Sequence, residues 1–221
     1  MRVHRYSTLV PALLLWICAG TATAQTLRLR AANSPANSLT VQVGDTLAID
    51  VIANLSNLSV SGAQLFIGIP DGPFEIVAER TSPQEDIRPF RQGPLLDGAM
   101  EFSNELMPGD EVPDLFDDLQ LLTYAAVLGP GKNRGRTGSG TVATFHLLCT
   151  HPATAARVHI AGNPIYQTFL VLDDGYGERA FQTTQDLEIT VEPPTQSTPS
   201  PSKPAEGNPT WGALKTRFSR R

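Results

Sequence analysis

An all-β fold, an antiparallel sandwich of two sheets with about nine strands, is what this 221-residue sequence predicts. Three observations carry the prediction. Apolar residues recur at every second position in run after run between Gln25 and Val191, the period of a strand buried on one face. Turn-forming Gly, Pro and Asp separate the runs at short intervals. No stretch has a convincing amphipathic helical period, so the crossover helices of a parallel sheet are missing and antiparallel sheets stacked face to face are expected.

The N-terminus comes first. Arg2, His4 and Arg5 make a basic start, residues 9–19 an apolar run, and Ala22-Thr23-Ala24 a small-residue cleavage site, so residues 1–24 read as a secretory signal peptide and the mature chain begins at Gln25. The run is well short of the roughly 20 residues that cross a membrane as a helix. Ile17 is bulky at the position before Cys18 where lipidation requires a small residue, so no lipid anchor is expected. The mature protein is read as soluble, secreted or held at the cell surface, without membrane insertion once the signal is removed.

The strands follow. Leu27, Leu29 and Ala31 alternate, then Leu39, Val41 and Val43, then, after a Gly44-Asp45 turn, Leu47, Ile49, Val51 and Ala53. Ala63, Leu65, Ile67 and Ile69 run up to Pro70-Asp71-Gly72-Pro73, and Phe74, Ile76 and Ala78 resume as a hairpin partner. Residues 80–119 are irregular and rich in Pro, Gly and acids, with one strand expected at 99–103. Alternation returns at 121–128, 141–149, 157–161, 168–172 and 187–191, with Asp173-Asp174-Gly175 as the turn before the last pair. A body of 25–191 is long enough to bury one sizeable core. Beyond it, 192–209 is a Pro, Ser and Thr linker that cannot build a core and is expected to be disordered. The last segment, 210–221, places Trp211, Leu214 and Phe218 on one face of a short helix with Lys215 beside them, a candidate docking or sorting peptide on a tether, though a frayed end fits the residues as well.

Charge narrows the partners. The body carries 10 basic against 20 acidic residues, which excludes a phosphate-backbone footprint and hence nucleic acid. Cys149 is the one cysteine left after the signal, so no internal disulfide can form, and its apolar surroundings read as those of a buried small hydrophobe.

Signs of catalysis are weak. Asp110, Glu111, Asp114, Asp117 and Asp118 could offer oxygens to calcium but lack the spacing of a calcium loop, so a solvated acidic loop is the reading. His146, His151 and His159 show no metal-binding spacing, and no serine sits in a Gly-x-Ser-x-Gly elbow. Gly131-Lys132-Asn133-Arg134-Gly135-Arg136 lacks the Gly-Lys-Ser/Thr ending of a phosphate loop and reads as a mobile loop. A glycosidase pair could be drawn from so many acids, but nothing singles one out. No cofactor or metal is expected, and the protein is read as not an enzyme. The body has no Trp, and Tyr124, Tyr166 and Tyr176 are its only tyrosines, so sugar binding rests on fold analogy.

Four segments in order carry a family resemblance: Val43-Gly44-Asp45-Thr46-Leu47 with the alternation to Asn54, Gly62-Ala63-Gln64-Leu65-Phe66-Ile67 with Phe74-Glu75-Ile76-Val77, Gly138-Ser139-Gly140-Thr141-Val142-Ala143-Thr144-Phe145, and Leu170-Val171-Leu172-Asp173-Asp174-Gly175 to Ile189-Thr190-Val191. Over about 150 residues they resemble the cohesin domain, a jelly-roll sandwich related in shape to carbohydrate-binding modules. Ile69-Pro70-Asp71 departs from the aromatic, Asp-Pro order usual in that family. The resemblance implies a secreted, non-catalytic binding or scaffold module, a monomer, whose partner is a dockerin-bearing protein or a glycan in polysaccharide-degrading assemblies. It places the partner on one flat sheet face, where Gln64 is the nearest contact and Gly62 has no side chain to offer. Tyr124 is the second candidate contact. The alternative is a structural cell-surface domain whose working part is the tail around Trp211, Leu214, Lys215 and Phe218.

Overall fold

The computed structural model describes residues 24–78, 87–107, 118–129, 135–162, 166–174 and 176–195. Among them fourteen strands, numbered in chain order, and one 3-10 turn at Pro94–Leu96 form two stacked sheets. In the smaller sheet β13 (Thr183–Gln185), β1 (Thr26–Ala31), β3 (Thr46–Asn54) and β9 (Ser139–Cys149) lie side by side. The far edge of β9 is shared by β5 (Phe74–Val77) and β6 (Phe90–Gln92). In the larger sheet β7 (Met100–Leu106), β8 (Leu119–Val127) and β4 (Val60–Pro70) are neighbours. The other edge of β4 is divided: β11 (Phe169–Leu172) takes its first half and leads to β12 (Glu178–Ala180), while β10 (Ala153–Ile160) takes its second half and leads to β14 (Leu187–Glu192) and β2 (Ser38–Gln42).

Alternation in the sequence becomes layering in space. Leu27, Leu29, Ile49, Val51, Phe145 and Leu147 point in from the smaller sheet and meet Leu65, Ile67, Leu122, Val158, Leu187 and Ile189 from the larger, all buried. Successive side chains of a strand face opposite ways, so one apolar phase per strand suffices to line the interface. Cys149 belongs to this core, its thiol pushed up by burial and then by the Asp45 charge.

Several expectations need correction. Two pairings are parallel, β1 with β13 and β2 with β14, so both sheets are mixed. Strands joined by a chain reversal can still pair in parallel with a distant segment, and no local residue records that partner. The Pro70-Asp71-Gly72-Pro73 turn does not close a hairpin: β4 and β5 lie in different sheets, so it carries the chain across the sandwich. Gly44 (φ +96°) and Gly72 (φ +95°) take left-handed conformations at such crossings, which suit glycine. The Asp173-Asp174 turn leads into β12, not β14. There Asp174 accepts the backbone N–H groups of Gly177 (2.8 Å) and Tyr176 (2.9 Å), which hold its carboxyl below the usual range.

The expected signal peptide up to Thr23, the acidic residues Asp110, Glu111, Asp114 and Asp117, the loop residues Lys132, Asn133 and Arg134, and the linker and tail from residue 196, with Trp211, Leu214, Lys215 and Phe218, lie outside the described residues.

Candidate functional site

The two outer faces differ in chemistry, and the registers allow each to be read row by row. On the smaller sheet one row is Thr183, Thr26, Asn54 and Ser139, the next Gln185, Arg28 and Ile52, the next Arg30, Asp50, Thr144 and Arg91. Asp50 accepts the Thr144 hydroxyl at 2.8 Å and meets Arg30 at 3.6 Å. Apart from Ile52, this face is made of hydroxyls, amides and charges.

The larger sheet is different. One row across it is Glu178, Val171, Gly62, Val127 and Met100, and the next is Ala180, Phe169, Gln64, Ala125 and Ser103. Beyond them Phe66 sits opposite Thr123, and Gly68 lies between Leu121 and His159. That second half is already covered: Phe66, Leu121 and Ala161 form a buried outer cluster, with the Tyr166 ring standing edge-on to Phe66 at 5.2 Å. The first half is open. Its strip of small and apolar side chains, Val171, Val127, Phe169 and Ala125, ends at β7, where Met100 is 62% and Phe102 69% exposed. A bulge between Glu101 and Ser103 inserts Phe102 as an extra residue and leaves its ring in solvent. Glu105 and Glu178 lie exposed around this strip.

Glycine sets the flatness of the strip. A Cβ at Gly62 would collide with the Ala126 carbonyl oxygen and press on Val127, so β4 and β8 approach closely only because the side chain is absent. At Gly68 the missing side chain is replaced by the His159 ring, which fills the same space.

Gln64 lies on this outer face, half-buried between Phe169 and Ala125. Tyr124 does not. It is 0% exposed in the central core, its ring 5.3 Å from that of Phe90, so it cannot touch a partner, and the expectation for it is corrected. The reason lies in phase: Tyr124 opposes Leu65, which points inward, whereas Thr123 and Ala125 point out. Its hydroxyl is pushed up to about 12 by burial, against the lowering influence of Gln92 and with the Glu101 carboxylate adding to the rise. The outward residues Val127, Phe169, Val171 and Met100 were missed from the sequence. Their signal was present in Leu121-Leu122 and Ala125-Ala126-Val127-Leu128, runs apolar in both phases, which mark a strand covered on both faces.

Among the described residues no group of three or more His, Cys, Asp or Glu is placed to hold a metal ion, and no helix is long and apolar enough to cross a membrane.

No protein-family model matches the sequence, and no curated protein does. Solved structures match the fold. A type II cohesin domain from the cellulosome of Acetivibrio cellulolyticus superimposes with a TM-score of 0.54 at 12% identity, over 76% of this chain and 95% of that one. The chain has the cohesin fold. The type II cohesin dyad of the adaptor ScaA scaffoldin from the same organism matches with a TM-score of 0.52 at 14% identity, over 76% of this chain and 48% of that one. The sixth cohesin of its scaffoldin B, solved in complex with a dockerin, gives 0.50 at 11% identity, over 77% of this chain and all of that one, 100%. At these identities the likeness concerns the sandwich and leaves the side chains of its outer faces specific to this cohesin fold.

Proposed function

We propose that this chain is an exported, non-catalytic binding module that receives a protein partner on the open half of its eight-stranded sheet. The observation that carries the reading is the contrast between the two outer faces: hydroxyls and charges on one, a flat strip of Val171, Val127, Phe169 and Ala125 ending at exposed Met100 and Phe102 on the other. Contiguous exposed apolar surface rimmed by polar residues is a mark of association. Gln64 at the middle of the strip supplies a polar group to orient the partner; Tyr124 has no part in it.

The cohesin solved with a dockerin makes a dockerin-bearing protein the first partner to test. The same reading takes the mature module as 25–191, a monomer released or displayed outside the cell after cleavage at Ala24, with 192–209 as a tether. A second reading, favoured by the spacing of Trp211, Leu214 and Phe218 beside Lys215, makes the tail at 210–221 a docking or sorting signal carried by a structural domain.

Isothermal titration of the protein against a panel of dockerins, with calcium and with chelator, tests the first reading. Binding that Val127→Glu weakens at least about tenfold, while Glu75→Lys on the opposite sheet leaves it unchanged, supports the assigned face. Equal binding by both variants places the partner elsewhere, and no binding by any dockerin removes the partner class.

A further inference from the structure

The opposite sheet carries a second site, independent of the partner face. Its outer surface is not flat at the β13 edge: a concavity of about 490 Å³ opens over β13, β1, β3 and the start of β9. Arg28 stands at its centre in register, between Gln185 and Ile52, with the row Thr183, Thr26, Asn54 and Ser139 alongside. Ile52, 9% exposed, is an apolar part of its lining.

Three properties define what would fit. The body holds 20 acids against 10 bases, yet among the described residues the lining of this concavity contains a cation and no carboxylate. Arg28 forms no ion pair among the described residues, unlike Arg30 with Asp50 two positions along the same strand face. An exposed guanidinium without a partner offers a planar fork of donors matched to a carboxylate. The remaining polar side chains are neutral hydroxyls and amides, which both donate and accept as vicinal sugar hydroxyls do. Asn54 already accepts the Ser56 N–H at 3.0 Å through Oδ1, so its amide N–H is the group left to donate.

We infer that this concavity binds a carboxylate-bearing sugar, a uronic acid unit of a polysaccharide, with Arg28 on the carboxylate and the surrounding hydroxyls and amides on the ring oxygens. A single cation in an acidic body favours one negative charge over the dense charge of a phosphate or sulfate polymer. Among the described residues no aromatic ring lines the site, so recognition rests on hydrogen bonds and charge, and affinity is modest, at about the millimolar level.

The test is a nuclear magnetic resonance titration of the full protein with trigalacturonate, with neutral cellotriose and triglycine as controls. Saturable shifts at Thr26, Asn54 and Ser139 with trigalacturonate alone are expected, weakened about tenfold or more by Arg28→Gln and by added salt. Arg28 is exposed, so the variant retains the fold, and an unchanged spectrum elsewhere verifies this. Cellotriose binding as tightly, indifference to Arg28→Gln, or no shift at all overturns the assignment. Equal binding of triglycine also overturns it, since a bare carboxylate would then be the ligand. The dockerin titrations are unaffected by any of these results.

Discussion

The carboxamide of Asn104 binds the backbone of Phe90 twice, accepting its N–H at 2.9 Å and donating to its carbonyl at 2.8 Å. Phe90 pairs through β6 with β9 of the smaller sheet, whereas Asn104 is on β7 of the larger, so one side chain joins the two sheets across the flank of the sandwich. It does for the edge of β6 what a further strand would do. Asn104→Leu leaves a part-buried N–H and carbonyl unpaired and should destabilise the fold by about 2–4 kcal/mol, from two lost bonds and the stranded groups. Asn104→Asp keeps the acceptor for the Phe90 N–H but sets a carboxylate oxygen against the Phe90 carbonyl and the Glu101 carboxylate, so it should lose at least as much at neutral pH and recover part of the loss in acid. Urea denaturation midpoints decide between them, and equal midpoints for all three proteins would show that the clasp contributes nothing.

Tyr124 is predicted to tolerate loss of its hydroxyl. Among the described residues its Oη is buried with no partner in good hydrogen-bond geometry, although the Gln92 and Glu101 side chains lie near enough to influence it, so Tyr124→Phe removes a polar group and at most a weak bond, and stability should change by no more than about 1 kcal/mol in either direction. In the parent the phenol of the folded state ionises near pH 12, above its ordinary value of 10, so this group leaves stability independent of pH below 10 and lowers it as pH rises from 10 towards 12, a fall that Tyr124→Phe abolishes. Urea midpoints of parent and variant read the stability change, and their difference in ultraviolet titration reads the raised pKa.

His159 makes the fold sensitive to mild acid. Burial of the ring over Gly68 lowers its affinity for a proton; the Asp186 carboxylate opposes this and Arg157 adds to it. In the unfolded chain the imidazole takes its proton near pH 6.5, and in the folded chain only at lower pH. Below pH 6.5 the unfolded state therefore binds more protons, and stability falls with acid until the folded pKa is reached. His159→Gln should flatten this part of the melting-temperature profile, while carboxylates such as Asp174 still give a decline at lower pH.

Gly62→Ala and Gly68→Ala should differ although both add one methyl to β4. At Gly62 the new Cβ meets the Ala126 backbone, which cannot yield without parting β4 from β8, and a loss of about 1–3 kcal/mol is expected. At Gly68 its three nearest atoms all belong to the His159 ring, a side chain that can yield where backbone cannot. The smaller loss there should come with the His159 resonance moving towards an ordinary titration.

Much of the architecture was legible in the order of residues, because alternation reports which phase of a strand is apolar. The runs at Leu27, Leu47, Ala63 and Leu187 state which side chains meet in the core, and from that a two-layer sandwich follows, while the likeness to cohesins rested on the resemblance of four segments to that family. The strands β6, β12 and β13 were not legible: three residues are too few to show a period, and each exists because a longer strand offers it an edge.

Pairing and the outer faces were decided only in three dimensions. A turn such as Asp71-Gly72 reverses the chain equally well within a sheet or between sheets, and the choice depends on which distant strand already occupies the edge. Gln64 could be assigned to a face from its neighbours Ala63 and Leu65. Tyr124 could not, since Leu121, Leu122, Ala125 and Ala126 make both phases of β8 apolar, and only the pairing of Tyr124 with Leu65 turns its ring inward. Local sequence determined what each strand could bury, and contacts between residues far apart in the chain determined which face remained for a partner.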